Sequence, residues 1–301
     1  MSLVQFQFES QFLGINTNIN VILPDKPRDL SPEEFYGNGK KYPVLWLLHG
    51  TFGDYSDWLR KSNIELYACE REVIVVMPSG LNANYENWPN FTLGFMTYNY
   101  LFDELMPLIY NWFPASDDPK NNYIAGLSMG GRGTLRYFLS HPEKFAGAAT
   151  MSFVPVDYTL EDNAANLDRI SNTDRRELEL HACTNEGELN AGSRDLRQRN
   201  DMDVWGGKEA FLNSGANLWP QFEDFAKIEN PPKLFVCCGS DDPLFFTNGN
   251  YDRFLTYLDQ LGIVYGHSEG PGAHEWRVWD RDIQLVLDYF GLKDQKAGNA
   301  F

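Results

Sequence analysis

Residues 122–140, Asn122-Tyr-Ile-Ala-Gly-Leu-Ser128-Met-Gly-Gly-Arg-Gly-Thr-Leu-Arg-Tyr-Phe-Leu-Ser140, decide how the rest of the chain is read. Asn122 to Leu127 is a short, mostly apolar run of the kind that forms a strand buried on both faces. Gly130 to Ser140 carries helical periodicity. Between them lies Gly126-Leu127-Ser128-Met129-Gly130, a Gly-x-Ser-x-Gly pattern. A serine in that pattern can occupy a tight strand-to-helix turn, because a side chain at either flanking glycine would crowd it. The letters alone arise by chance in roughly one 300-residue chain in ten at Gly and Ser usage of about 7 % each. The strand before and the helix after give the pattern its weight.

Outward from this turn, similar apolar runs recur at Pro43–Leu48, Glu72–Met77, Ala146–Phe153 and Lys233–Cys238. Helical periodicity fills Tyr55–Glu70 and Leu101–Phe113, and a last strand at Ile263–His267 precedes a last helix from Trp276 to Phe290. Strands alternating with helices predict a mostly parallel sheet covered on both sides. Val4–Phe12 and Thr17–Leu23 predict an antiparallel pair on the sheet's edge, the first alternating apolar Val4, Phe6 and Phe8 with polar Gln5, Gln7 and Glu9. The expected class is therefore α/β, with residues 1–301 forming one domain. The stretch from Pro155 to Asn230 breaks the alternation with charges, Asn and Gly. At about 75 residues it is too long for a structureless loop. Short helices are expected in this 155–230 insertion, as a lid or as plain surface elaboration.

Composition narrows the partners. Lys and Arg number 25 against 42 Asp and Glu, a net charge of −17. That charge repels phosphate backbones and anionic lipid, so neither nucleic acid nor a membrane is expected as partner. The first residues lack the basic and apolar regions of a secretory signal, which makes a cytoplasmic location the expectation. Four cysteines (Cys69, Cys183, Cys237, Cys238) are too few for a disulfide framework, and the adjacent pair should point to opposite strand faces. No Cys/His spacing suggests a metal, and Asp201-Met-Asp203 is too short a cluster to argue for one. Asn90-Phe-Thr92 matches a glycosylation acceptor by letter only.

A serine hydroxyl needs a base to take its proton. Where such a turn carries the nucleophile, the acid and then the histidine follow it in the chain. That order leaves His181, His267 and His274 of the five histidines. His274 lies in Gly270-Pro-Gly-Ala-His-Glu-Trp276, a loop on the expected carboxyl edge of the sheet, where ligands bind. His267 ends a strand and His181 falls in the insertion. The acid should come from Gly239-Ser-Asp-Asp-Pro243, with Asp242, farther round the turn, preferred over Asp241. Oxyanion donors are expected at the Met129 amide and in His49-Gly-Thr-Phe52, where Thr51 is favoured and Phe52 is the fallback. Trp88 and Trp276 are candidate pocket walls, with core packing as the alternative for each.

Four segments, HGTFGDYSDW, AGLSMGGRGTLRY, CGSDDPLF and GPGAHEWRVWDRDI, fall in an order that resembles the esterase D-like putative esterase family. That group takes in tributyrin esterases, feruloyl and acetyl xylan esterases, and S-formylglutathione hydrolases. The resemblance spans roughly Val4 to Phe290 and is weakest over the insertion. It implies an α/β-hydrolase fold, Ser128 as nucleophile with Asp242 and His274, and Met129 with the HGTF loop as oxyanion hole. It further implies a serine carboxylesterase that needs no cofactor, forms an acyl-enzyme and acts on short-chain acyl or sugar-linked acetyl and feruloyl esters. Two positions depart from the family pattern: Ala273 stands where a glycine is frequent, and Leu127 where the S-formylglutathione hydrolases carry histidine. An acyltransferase of the same fold and a non-catalytic carbohydrate- or partner-binding module remain as alternatives.

Overall fold

The computed structural model describes residues 2–89, 95–184 and 189–292, without the side chains at 183, 184 and 189–193. Asn90-Phe-Thr92 and the Cys183 side chain lie outside the described residues. Eight strands form the main sheet: β1 (Ser2–Ser10), β2 (Ile15–Leu23), β3 (Val44–Leu48), β4 (Ile74–Met77), β7 (Asn122–Leu127), β8 (Gly147–Met151), β9 (Lys233–Gly239) and β10 (Gly266–Gly270). A separate ribbon pairs β5 (Asn87–Trp88) with β6 (Phe95–Met96). The sheet order is β1-β2-β4-β3-β7-β8-β9-β10. β1 and β2 are antiparallel to each other, β2 is antiparallel to β4, and the remaining neighbours run parallel.

Burial explains why the continuous apolar runs became the central strands. Trp46, Val76, Ile124 and Val236 enter a core on one face, while Leu45, Val75, Ala125 and Phe235 enter a second core on the other. Cys238 and Cys237 divide the same way, as neighbours on a strand must. Among the described residues no helix is long and apolar enough to cross a membrane.

Three boundaries differ from the sequence expectation. The last strand begins at Gly266 rather than Ile263, because Ile263 is spent on the preceding helix end, where its N–H donates to Leu258 O at 3.0 Å. Tyr55–Glu70 is two helices, Asp57–Lys61 and Ile64–Glu70, divided where the Ser62 hydroxyl donates to Trp58 O. Leu101–Phe113 begins as a wider π-helical segment, Tyr100–Leu105, before the α-helix Met106–Trp112. Between β8 and β9 the described residues of the insertion hold five helices, from Glu161–Asn172 to Leu218–Phe225. Leu167, Ile170, Leu178, Met202 and Phe211 give it a small core of its own. It leaves the sheet at the carboxyl end of β8 and meets the segment after β4, where Asn84 Nδ2 donates to Asp201 Oδ2 at 2.8 Å.

Candidate active site

β7 ends at Leu127 and a helix starts at Met129, so Ser128 alone makes the turn. Its φ of 51° and ψ of −117° lie outside the usual range for a side-chain-bearing residue, a strain of order 1–3 kcal/mol. Two backbone bonds hold the strain: Ser128 N–H donates to Met151 O at 2.9 Å, and Arg132 N–H donates to Ser128 O at 3.1 Å. A Cβ on Gly126 would sit 2.4 Å from the carbonyl of Gly130, so the turn closes only with glycine there. Met129 is the first helical residue, and its N–H has no intrahelical acceptor.

The loop after β3 comes alongside: a Cβ on Gly50 would lie 3.5 Å from Ser128 Cβ. His49 is buried and holds this loop in place. Gly80 N–H donates to its Nε2 at 2.8 Å, so the ring proton sits on Nδ1 and goes to Gly50 O at 2.7 Å. Burial keeps this imidazole below its ordinary pKa, consistent with a neutral structural residue. Phe52 takes a positive φ of 61°, and its N–H donates to Asn82 Oδ1 at 2.7 Å. The fallback oxyanion donor is therefore already engaged. Among the described residues nothing accepts the Thr51 N–H.

The loops after β9 and β10 bring Asp242 and His274 together, with Asp242 Oδ2 accepting from His274 Nδ1 at 2.8 Å. Asp242 is 0 % exposed and His274 21 %. Burial pushes the Asp242 pKa up, but the hydrogen bond and charge of His274, the Leu244 N–H and the Ser152 hydroxyl outweigh it and hold it below the usual value. Its other oxygen accepts from Leu244 N–H at 2.9 Å and from Phe245 N–H at 3.3 Å. Asp241 does a different job. It clasps the histidine loop, its N–H donating to Gly272 O and its carboxylate accepting from Gly272 N–H. Gly272 carries the loop's left-handed turn with φ 120°, which leaves Ala273 an ordinary backbone and explains why alanine is accepted there.

The two candidate pocket tryptophans are placed differently. Trp88 is 7 % exposed, and its indole N–H donates to Asp201 Oδ1 at 3.1 Å, so packing rather than a pocket wall is its place. Trp276 is half-buried between Trp58 and Trp279, with Lys61 Nζ 5.1 Å from its ring. His267 stands in mid-strand with Glu269 within 4.0 Å.

Sequence reasoning missed a buried charge cluster that ties the insertion to the serine-bearing helix. Arg132 reaches Asp201 Oδ2 at 3.1 Å and Glu86 Oε1 at 3.4 Å, and Arg136 Nε donates to Glu86 Oε1 at 2.6 Å. Its members come from three separate segments, so no local pattern announces them. Beside it lies a cavity of about 180 Å³ lined by Asn84, Arg132, Phe153, Tyr158, Arg197 and Phe211, among others. Asn84 follows β4, Phe153 follows β8 and Arg132 lies one helical turn after Ser128, while Ser128, Asp242 and His274 are not among the residues that line this cavity. A larger one, about 640 Å³, runs between the insertion and the helix Asn250–Gln260. Stacked Trp219 and Tyr257 line it with Asp157, Glu223 and Arg253, and Tyr158 borders both cavities.

A strand-loaded serine, an aspartate–histidine pair after the last two strands and this sheet order define an α/β-hydrolase. The model of the family described as "Putative esterase" matches residues 10–231, and the chain belongs to that family. It is a serine ester hydrolase. An acetyl esterase of Caldicellulosiruptor saccharolyticus is 28 % identical over 290 residues, covering 96 % of this chain and 98 % of the relative. The fluorophosphonate-binding serine hydrolase FphF of Staphylococcus aureus is 25 % identical with a TM-score of 0.71, over 97 % of this chain and 99 % of that one. An S-formylglutathione hydrolase from the same organism is also 25 % identical, with a TM-score of 0.66 and the same coverage.

Proposed function

We propose that this carboxylesterase works through Ser128, His274 and Asp242 by way of an acyl-enzyme. His274 takes the Ser128 proton while Asp242, on Nδ1, fixes the tautomer that leaves Nε2 free to accept it. Ser128 Oγ attacks the ester carbonyl, and the N–H groups of Met129 and Thr51 receive the developing oxyanion. His274 then gives its proton to the leaving alkoxide, and a water repeats the sequence on the acyl-enzyme. The observation that carries this reading is the Asp242–His274 hydrogen bond at 2.8 Å, together with the strained turn that holds Ser128 at the end of β7.

The substrates we infer are small acyl or sugar-linked acetyl and feruloyl esters. The cavity of about 180 Å³ suits a short or flat acyl group. The aromatic faces and planar polar groups of the larger cavity suit a sugar ring on the alcohol side. Segment 155–230 covers both as a lid within a single domain. The test is hydrolysis of p-nitrophenyl acetate, butyrate and octanoate, methyl ferulate and acetylated xylan by wild type and Ser128→Ala. A loss on the order of 10⁶-fold in the variant is expected. Equal rates from the two proteins would remove Ser128 from the mechanism. A new ester formed on adding alcohol or sugar acceptors would turn the reading to acyl transfer.

A further inference from the structure

Behind the Asp242–His274 pair lies a buried hydrogen bond, between Trp279 and Ser152, that neither the serine turn nor the oxyanion loop requires. Trp279, on the last helix, directs its indole N–H onto Ser152 Oγ at 3.0 Å. The same ring packs edge-to-face on His274, with centroids 5.1 Å apart at 86°. An indole N–H can only donate, so the Ser152 oxygen accepts and its single proton is left for another acceptor. The Ser152 hydroxyl is one of the hydrogen-bonding groups that favour the ionised Asp242. The Cys238 thiol is its other neighbour, and sulfur is a weak acceptor. Ser152 is fully buried and held at a positive φ of 48°, with its N–H on Cys237 O at 2.8 Å. A strained, buried serine directly after β8 is a costly placement for a residue without a task.

We propose that Trp279 and Ser152 are positioning residues for the acid–histidine pair. The chain runs from the Trp279 N–H to Ser152 Oγ, from the Ser152 O–H to the Asp242 carboxylate, and meets there the Nδ1–H of His274. Trp279 thereby holds both partners, the acid through Ser152 and the imidazole through its ring. The inference rests on the reading of Asp242 and His274 given above. Other ionisable groups nearby are Cys238 on β9, whose thiol burial keeps protonated, and Asp282 on the last helix, which acts on Cys238. A carboxylate that loses a donor concentrates its charge on the remaining contacts. It then holds a protonated imidazole more tightly and is freer to rotate.

The test uses Trp279→Phe, which keeps a ring but removes the N–H, and Ser152→Gly, which accepts the positive φ and removes the hydroxyl. Two readouts are taken: the pH profile of kcat and KM on an ester of the panel, and the low-field proton resonance of the His274 Nδ1–H without substrate. The expected result is kcat lower by about ten- to a hundredfold, the equivalent of one hydrogen bond to a charged group, with KM retained. The acid limb of kcat/KM should move to higher pH, and the imidazole proton resonance should shift in both variants. The double variant should be no worse than the poorer single one, as members of one chain behave. Folded variants whose acid limb and imidazole resonance coincide with wild type would overturn the proposal, whatever their melting temperatures. If wild type hydrolyses no ester, the esterase reading fails on its own, and the resonance still decides the chain.

Discussion

Asp242 and Asp201 are both closed off from water, yet they are driven to ionise in opposite directions. Desolvation alone raises both, since it penalises a charged carboxylate wherever it sits. At Asp242, His274, the Leu244 amide and the Ser152 hydroxyl overcome that penalty, and its pKa falls below the usual value. At Asp201 burial wins. Arg132, Asn84 and Trp88 pull down, but the Glu86 carboxylate stands close by and shares the same guanidinium, and the pKa rises to about 6. One carboxylate belongs to a site-bearing loop of the sheet, the other to an inserted helix. What separates them is the balance: at Asp201 burial, helped by Glu86, outweighs Arg132 and the donors, whereas at Asp242 His274 and the donors outweigh burial.

The largest consequence is catalytic. Asp242→Asn should lower kcat by about 10³- to 10⁴-fold, because an amide cannot hold the imidazole in the required tautomer. Asp201→Asn, equally buried, should leave kcat within a few-fold of wild type on the same ester. A loss at Asp201 comparable to that at Asp242 would break the division between site and latch.

A smaller effect lies in stability against pH, and the two signs differ. Asp242 has a lowered folded pKa, so its contribution is present above about pH 4, the unfolded value, and is lost as pH falls through the folded one. Asp201 has a raised folded pKa. Between about pH 4 and pH 6 the folded state keeps a proton that the unfolded chain releases, so this residue's contribution declines as pH rises across that window. Urea unfolding of the two Asn variants against wild type should therefore diverge with opposite slopes. Asp201→Asn should gain on wild type from pH 4 to 6, and Asp242→Asn should lose ground as pH rises to about 4. Parallel slopes would mean that Asp201 is ionised throughout.

The same contrast explains what could be read in the sequence. Ser128, Asp242 and His274 each sit in a local pattern at the end of a strand, where chain order and turn chemistry constrain the choice. The central strands were legible because burial on both faces demands continuous apolar runs such as Val44–Leu48. β10 was misplaced because an edge strand reading Gly-His-Ser-Glu-Gly has no such run. The charge cluster stayed hidden for a related reason: Glu86, Arg132 and Asp201 are brought together by tertiary packing alone. In the sequence Asp201 stands in a short acidic cluster, and Trp88 is open between pocket wall and core packing. Each is the other's hydrogen-bond partner, at 3.1 Å.

That partnership sets the smallest expected effect. Trp88→Phe keeps most of the buried ring but removes the indole donor from Asp201 Oδ1. Asn84 and Arg132 still serve Oδ2, at 2.8 and 3.1 Å, so the carboxylate is weakened rather than orphaned. The cost should be about 1–2 kcal/mol in urea unfolding at pH 7, where Asp201 is ionised and needs the donor most. It should shrink as pH falls below 6, because a protonated carboxyl demands less of its donors. Ester turnover should hold, since the indole N–H serves Asp201 and not Ser128, Asp242 or His274. A loss of activity at unchanged stability would instead return Trp88 to the pocket wall, and the line between the two aspartates would have to be redrawn.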